Sequence, residues 1–290
     1  MAPKTRSDII EAVADAFGGF CRVVATGGST TTIVDAANLL ESDGYWVGHY
    51  VHVLTDAGGT HAAPEGQERP VTGYDLSSAT LTVSPAFTAA IGAGDVCALA
   101  QERRTVFESA INEAIRAAEM TWLVAATDDA IVLDEEVYEY DLPTDLVTLN
   151  RVLVRAEDEE PWRDIPASNW RVTGLPGAQE LVFNSWNGLS ASYTTRLEYY
   201  ARPAEMTTDA ATLGVGEPAE REMVRFMTLY ALYWLHSRAA SKQESSGTFQ
   251  IHYTQADSYL KMAMDLRARS AGSWREAGRL HTTRPSRARG

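Results

Sequence analysis

Cysteine is nearly missing from this chain: Cys21 and Cys97 are the only two in 290 residues, with no CxxC and no His/Cys spacing of a metal site. That argues against a disulfide framework and a structural zinc centre, and both thiols are expected to fill small buried gaps as hydrophobes. No apolar run approaches the ~20 residues of a membrane span, and Met1-Ala-Pro-Lys-Thr-Arg lacks the apolar core of a signal peptide. A soluble product made in a cytoplasm is the expectation. Positive charge is also scarce. Lys and Arg number 25 against 39 Asp and Glu, a formal net charge of -14, which disfavours general nucleic-acid binding because such affinity comes from cations neutralising phosphates. There is no GxSxG elbow, no HExxH and no GxxxxGK[ST] loop, so the signatures of hydrolases and nucleotide binders are missing. Neither an internal repeat nor a heptad pattern occurs.

What is present can build real cores. Apolar residues make up 45% of the chain, enough for two domains at roughly 100 to 200 residues each. Thr5 to Phe17 carries Ile9, Ile10, Val13 and Phe17 at helical spacing, ended by Gly18-Gly19. Residues 1–19 are therefore read as an N-terminal helix. Ser29 to Leu40 is expected to be a second short helix with Ile33, Ala36, Ala37 and Leu40 on one face. Then the period drops to two. Trp46 to Leu54, Arg69 to Tyr74, Thr80 to Val83 and Val96 to Ala100 predict strands around a long polar loop, with Gly48 and Gly94 at bends. Residues 20–102 are assigned to a small β-barrel or sandwich domain.

A capping box, Thr105 with Glu108 three positions on, predicts a long helix over 105–126 with Phe107, Ile111, Ala114, Ile115, Ala118 and Trp122 on one buried stripe. Between Ala130 and Arg202 the pattern is β again: Val137 to Tyr140, Leu146 to Val154, Trp170 to Val172, Glu180 to Phe183 and Thr194 to Tyr200, with Asn187-Gly188 as a hairpin signal. Two helices follow, near 218–240 with Pro218 in its first turn, and 248–269. The first is apolar nearly all round from Phe226 to Leu235, which places Phe226, Met227, Tyr230, Tyr233 and Trp234 in a core or at a subunit interface. The expected class is thus α+β. A helical core of long helices near 105–126, 218–240 and 248–269 carries an inserted β-sandwich at 130–202, all within residues 103–270, and the small β-domain precedes it. From Ala271 to Gly290 five Arg and one Glu accompany Trp274. This basic tail is expected to be disordered in the isolated chain.

Candidate chemistry is weak along the whole sequence. Gly27-Gly28-Ser-Thr-Thr-Thr is read as a helix cap rather than a phosphate loop, because no Lys follows. Asp134-Glu-Glu and Glu157-Asp-Glu-Glu lack the alternating oxygens of a calcium loop and read as solvated turns. His49 and His52 fall on opposite faces of a strand, a poor geometry for joint metal binding. His236, near a helix end, reads as a cation that suits the dipole. Trp162 and Trp170 read as members of a sheet-face cluster in preference to a stacking platform for bases or sugars. No catalytic residue, cofactor or metal site is assigned, and the chain is not expected to be an enzyme. The basic tail is open between a solvated end and a docking segment.

The first hundred residues, from Gly27-Gly28-Ser-Thr-Thr-Thr-Ile-Val-Asp through Trp46-Val-Gly-His-Tyr-Val to Val83-Ser-Pro-Ala-Phe and Gly94-Asp-Val, resemble the small β-domain of structural proteins from tailed bacteriophages. The second half resembles their head-to-tail adaptor, or connector, proteins. The features that carry this are the helix Asn112 to Ala126, Tyr138-Glu-Tyr-Asp-Leu-Pro-Thr-Asp-Leu, Val152-Leu-Val, Pro161-Trp-Arg-Asp-Ile, Tyr199-Tyr-Ala-Arg-Pro and the closing pair of helices. The resemblance implies a ring, usually of twelve copies, below the portal in the neck of the virion, joining the DNA-filled capsid to the tail. Portal protein and other neck or tail proteins would be its partners, with DNA only passing through the lumen and no membrane. Adaptor C-termini commonly reach the portal, which would make Trp274, Arg275, Arg279, Arg284, Arg287 and Arg289 the docking residues. The rival readings are a collar, tail-terminator or baseplate component, and less favoured, a tail-associated hydrolase.

Overall fold

A computed structural model describes residues 3–57, 64–118, 121–134, 137–156, 160–184, 189–214, 219–242 and 248–280, with side chains as far as Ser270. Among the described residues are four helices and fourteen strands in three antiparallel sheets. The chain divides into two compact units. One comprises residues 1–116, 206–212 and 224–266, the other residues 117–205, 213–223 and 267–290.

The first unit begins with α1 (Arg6–Phe17). Thr5 caps it reciprocally: the Asp8 N–H donates to Thr5 Oγ1 (3.2 Å) while the Thr5 N–H donates to Asp8 Oδ2 (3.0 Å). Gly18, at φ +105°, ends the helix. Seven strands follow: β1 (Cys21–Val24), β2 (Gly27–Gly28), β3 (Thr32–Val34), β4 (Tyr50–Thr55), β5 (Glu68–Asp75), β6 (Thr80–Val83) and β7 (Val96–Ala100). They form one sheet in the order β1-β7-β4-β5-β6-β3-β2. Alternation is clear in β4, where buried Val51 and Val53 flank His52, and these pack with Val23, Ile33, Leu39, Leu81, Cys97 and Leu99.

The helix expected over Ser29 to Leu40 does not form. Thr30-Thr-Thr-Ile-Val is a run of five β-branched residues, which favours a strand, and β3 pairs with both β2 and β6. Asp35 then diverts the backbone. Its buried carboxylate accepts the N–H groups of Val24, Ala37 and Asn38 and the Asn38 side-chain amide, an Asx arrangement that competes with helix. The strand expected from Trp46 begins only at Tyr50, because turns occupy 43–48, with Gly44 and Gly48 at φ +75° and +89°.

α2 (Arg104–Ala118) stops eight residues short of the expected Ala126. Val124 to Val132 form β8 instead, which pairs with β14 (Thr194–Ala201) in a register that sets Ala126 opposite Tyr199. Ala125 and Ala126 suit a helix, but tertiary pairing overrides a weak local preference. In the second unit β8 edges a four-stranded sheet, β11 (Arg163–Asp164), β10 (Leu146–Arg155), β14 and β8, and a three-stranded sheet holds β12 (Trp170–Leu175), β13 (Ala178–Phe183) and β9 (Glu139–Asp141). Both sheets contribute to one cluster, including Ile131, Leu146, Val152, Val154, Leu181, Phe183 and Leu197. Around the β12–β13 hairpin, Gly174 near the end of β12 and Gly177 in the turn adopt φ +91° and +85°. Asn187-Gly188 and Pro218 lie outside the described residues.

The expected helical core with an inserted β-sandwich is therefore incorrect. Strands dominate the N-terminal and middle parts, and among the described residues no long helical core organises the chain. The physical reason is that, among the described residues before Arg202, most of the buried apolar side chains pack in two clusters built mainly from strands. The remaining helices are α3 (Ala219–Lys242) and α4 (Phe249–Leu280). In the second unit the Arg267 guanidinium donates to the Ala117 carbonyl (3.0 Å) and Thr121 Oγ1 (3.3 Å), satisfying an orphan carbonyl at the end of α2.

Candidate functional site

α3 owes its nearly continuous apolar surface to two different roles. Phe226 and Met227 are completely buried, whereas Tyr230, Tyr233 and Trp234 are half-buried. Their rings form a chain: Phe226 and Tyr230 stack at 5.7 Å, Tyr230 meets Tyr233 edge-on at 5.3 Å, and Arg238 lies 5.6 Å over Trp234. That leaves an aromatic face partly in solvent, the kind of surface enriched at interfaces.

His236 is not the dipole-matched cation the sequence implied. Its buried ring places Nδ1 3.0 Å from His252 Nδ1, a spacing that needs one N–H and one lone pair. Phe17 lies 4.8 Å away and Tyr259 stacks at 5.5 Å. Burial first, then the neighbouring His252, pushes the His236 pKa down to about 4, so the ring is neutral at physiological pH. His252 was missed in the sequence. It falls on the inward stripe of α4 with Ala256, Tyr259, Ala263 and Leu266, and that helical spacing is the signal that would have found it.

A second polar cluster ties residues 206–212 to α1 and α2. Arg6, nine-tenths buried, donates from Nη1 to the Met206 carbonyl (3.1 Å) and from Nη2 to Asp209 Oδ1 (2.7 Å), and pairs with Glu108 (3.1 Å). Arg104, equally buried, brings Nη2 to 2.7 Å from the same oxygen as an ion pair, but off the hydrogen-bond line. Backbone bonds reinforce the clamp, from the Arg6 N–H to the Ala211 carbonyl (2.9 Å) and from the Met206 N–H to Asn112 Oδ1 (3.1 Å). Burial works to raise the Asp209 carboxyl, but Arg104 and Arg6 outweigh it and hold it below the usual range. The sequence offered no sign of this cluster, since Arg6 and Asp209 lie 203 positions apart in the chain and Asn112 and Met206 lie 94 apart.

Arg104 also decides how α2 begins. Its N–H donates to Glu68 Oε1 on β5 at 2.6 Å, so the helix is capped from a strand far away in sequence and not by the Thr105/Glu108 box. Burial pushes Glu68 up, against the Arg104 N–H and the nearby arginines. A cavity of about 20 Å³ lies here among Tyr50, His52, Glu68, Arg104 and Phe107. His52 is driven down to about 4, by burial first and then by Arg104. His49, by contrast, sits between the 43–48 turns and β4, with its ring 5.1 Å from Trp46.

The other expected positions are structural in character. Gly27 and Gly28 form a short strand, and a Cβ on Gly28 would stand 2.4 Å from the Thr32 carbonyl, so no helix N-terminus is there to receive a phosphate. Arg155 and Arg196 lie 4.5 and 4.3 Å from the Trp162 ring centre. Trp170 packs against the sheet cluster and donates Nε1–H to the Ile165 carbonyl at 3.2 Å. Cys97 is buried and pushed up to about 12 by burial, and both cysteines are free thiols. Glu135, Glu136 and residues 157–159 lie outside the described residues. Among the described residues, no group of three or more His, Cys, Asp and Glu is arranged to hold a metal ion, and no helix is long and apolar enough to cross a membrane.

Residues 271–280 of the tail expected to be disordered continue α4 instead. α4 continues through Leu280, so Trp274, Arg275 and Arg279 are on helical backbone, while Arg284, Arg287 and Arg289 lie outside the described residues.

Comparison with known proteins gives one positive finding. The family model described as SU10 adaptor protein matches residues 79–280, more than two thirds of the chain. The match begins inside the seven-stranded sheet, just before β6, and spans everything from there to the end of α4. No curated protein matches the chain.

Proposed function

This chain belongs to the SU10 adaptor protein family, and on that premise we propose that its copies close into a ring below the portal and join the DNA-filled capsid to the tail. A phage head-to-tail adaptor is a structural component of the virion, and such a role implies contact with portal and tail proteins. The family match over 79–280 carries the reading. Two features support the finer assignment. A ring requires a heterologous contact repeated around an axis, and the half-buried Tyr230, Tyr233 and Trp234 supply aromatic surface for it, anchored by the buried Phe226 and Met227.

The second feature is charge. In a chain of net charge -14, Arg275, Arg279, Arg284, Arg287 and Arg289 concentrate cations at one end beside the aromatic Trp274, suited to an acidic surface on the portal. The acidic balance elsewhere would let DNA pass without adhering.

Native mass spectrometry of the purified chain, alone and with the portal of the same virus, tests both points. Ring formation on the portal is expected, with attachment lost when residues 271–290 are deleted and the fold retained. A stable ring with no affinity for portal would move the assignment to a collar, tail-terminator or baseplate component.

A further inference from the structure

The loop leading to β4 and the end of β5 form a pinned seam in the first unit. The Tyr74 hydroxyl donates to the Leu39 carbonyl (2.7 Å), the Gly44 N–H to the Tyr74 carbonyl (3.1 Å), and the Leu76 N–H to the Asp43 carboxylate (2.7 Å). On this seam Leu40, Tyr45, Val47 and Leu76 are 68%, 46%, 49% and 42% exposed, although their neighbours Leu39 and Trp46 are buried. The exposure belongs to a braced backbone. Tyr45 itself is held against Trp46 at 4.8 Å and His49 at 6.0 Å.

The rim of the seam is acidic. Glu41, Asp43 and Asp75 are all exposed, and Glu41 and Asp75 adjoin Leu40 and Leu76 in the chain; burial first and then these carboxylates push the Tyr74 hydroxyl up. Two of them serve the local fold, since Asp43 accepts the Leu76 N–H and Asp75 accepts from Ser77 and Ser78. Glu41 sits beside Leu40, the most exposed of the four apolar residues.

We propose that this seam docks a polypeptide segment of another protein that carries arginine or lysine beside apolar side chains. Exposed apolar groups rimmed by polar ones mark interaction sites. Three carboxylates around them favour a cationic partner and repel acidic segments and phosphate backbones alike. A surface braced in advance loses little freedom on binding. The seam lies before residue 79, outside the family match, so the inference does not rest on the ring or on portal docking.

The test places a photo-reactive benzoylphenylalanine at Leu40 in the full chain, in infected cells, and identifies the cross-linked peptide by mass spectrometry. One net-positive segment of another protein is expected, with its yield falling at least tenfold when Glu41→Lys is added and the melting temperature is unchanged. The same reporter at Leu175, 77% exposed in the second unit, should not yield that adduct. No adduct, an acidic segment, a second copy of this chain, or an adduct indifferent to Glu41→Lys would each overturn the proposal. Presence of the chain in released particles, scored separately, tests the adaptor assignment on its own.

Discussion

Arg6 and Arg104, from the first turns of two different helices, converge on a single oxygen of Asp209, each guanidinium nitrogen 2.7 Å from Oδ1. Both arginines are nine-tenths buried, so the carboxylate offsets charge that water cannot reach. Asp209 also sits on the segment that the Arg6 N–H and the Ser7 N–H hold by its backbone carbonyls. The pair of arginines therefore fixes where residues 206–212 cross the first unit.

Asp209→Asn should destabilise the protein by about 2 kcal/mol, below the ~3–5 kcal/mol of a fully buried broken pair because half of the Asp209 side chain is in solvent. The carboxyl is depressed in the folded state. Its contribution is thus present above the ordinary value of 3.8 and lost as pH falls through the lower folded value. Urea unfolding across that acid range should show the loss in the native chain and not in the Asn variant.

The histidine pair acts in a different window. A base whose pKa drops from 6.5 unfolded to about 4 folded stabilises the fold fully above 6.5 and progressively less as pH falls toward 4. His236→Phe should flatten the unfolding free energy between pH 4 and 6.5 by about 2 kcal/mol. His52, lowered to about 4 as well, contributes in the same window, so His52→Gln is the companion variant. Nitrogen-detected NMR of the imidazoles should find His236 neutral at pH 6.

The cap of α2 separates a tertiary cause from a local one. Glu68→Ala removes the acceptor of the Arg104 N–H and should cost about 1–2 kcal/mol, whereas Glu68→Gln keeps an oxygen there and should cost less. Thr105→Ala, at the cap position the sequence implied, should cost under ~0.5 kcal/mol. Thermal unfolding of the three variants decides it.

Two glycines with positive φ should respond differently to alanine. A Cβ on Gly44 meets nothing within 4 Å, so Gly44→Ala should cost about 1 kcal/mol from backbone conformation alone. On Gly174 the Cβ would stand 2.3 Å from the Ala178 carbonyl, and Gly174→Ala should cost about 2–4 kcal/mol. Equal losses in melting temperature would show that the turn relaxes freely.

Local pattern alone located α1, because Ile9, Ile10, Val13 and Phe17 recur at helical spacing and Gly18-Gly19 ends the run. It likewise located β6, whose burial alternates, and β7, a short apolar run buried through its middle; both patterns need only neighbouring side chains to be visible. The adaptor resemblance was legible too, through the order of motifs along the chain. Tertiary structure decided the rest. Ala125 and Ala126 would serve a helix, and only pairing with Tyr199 and Tyr200 on β14 makes them a strand. Ala36, Ala37 and Leu40 keep helical spacing, yet Asp35 takes N–H groups from both sides of the turn and β6 claims the preceding residues. Glu68 caps a helix that starts 36 residues later, and Arg6 meets Asp209 across 203 positions. No window of sequence contains both partners of such a contact. Local spacing determines which face of a short element is apolar; which element a residue finally joins is settled by the hydrogen bonds and charges that arrive from elsewhere in the chain.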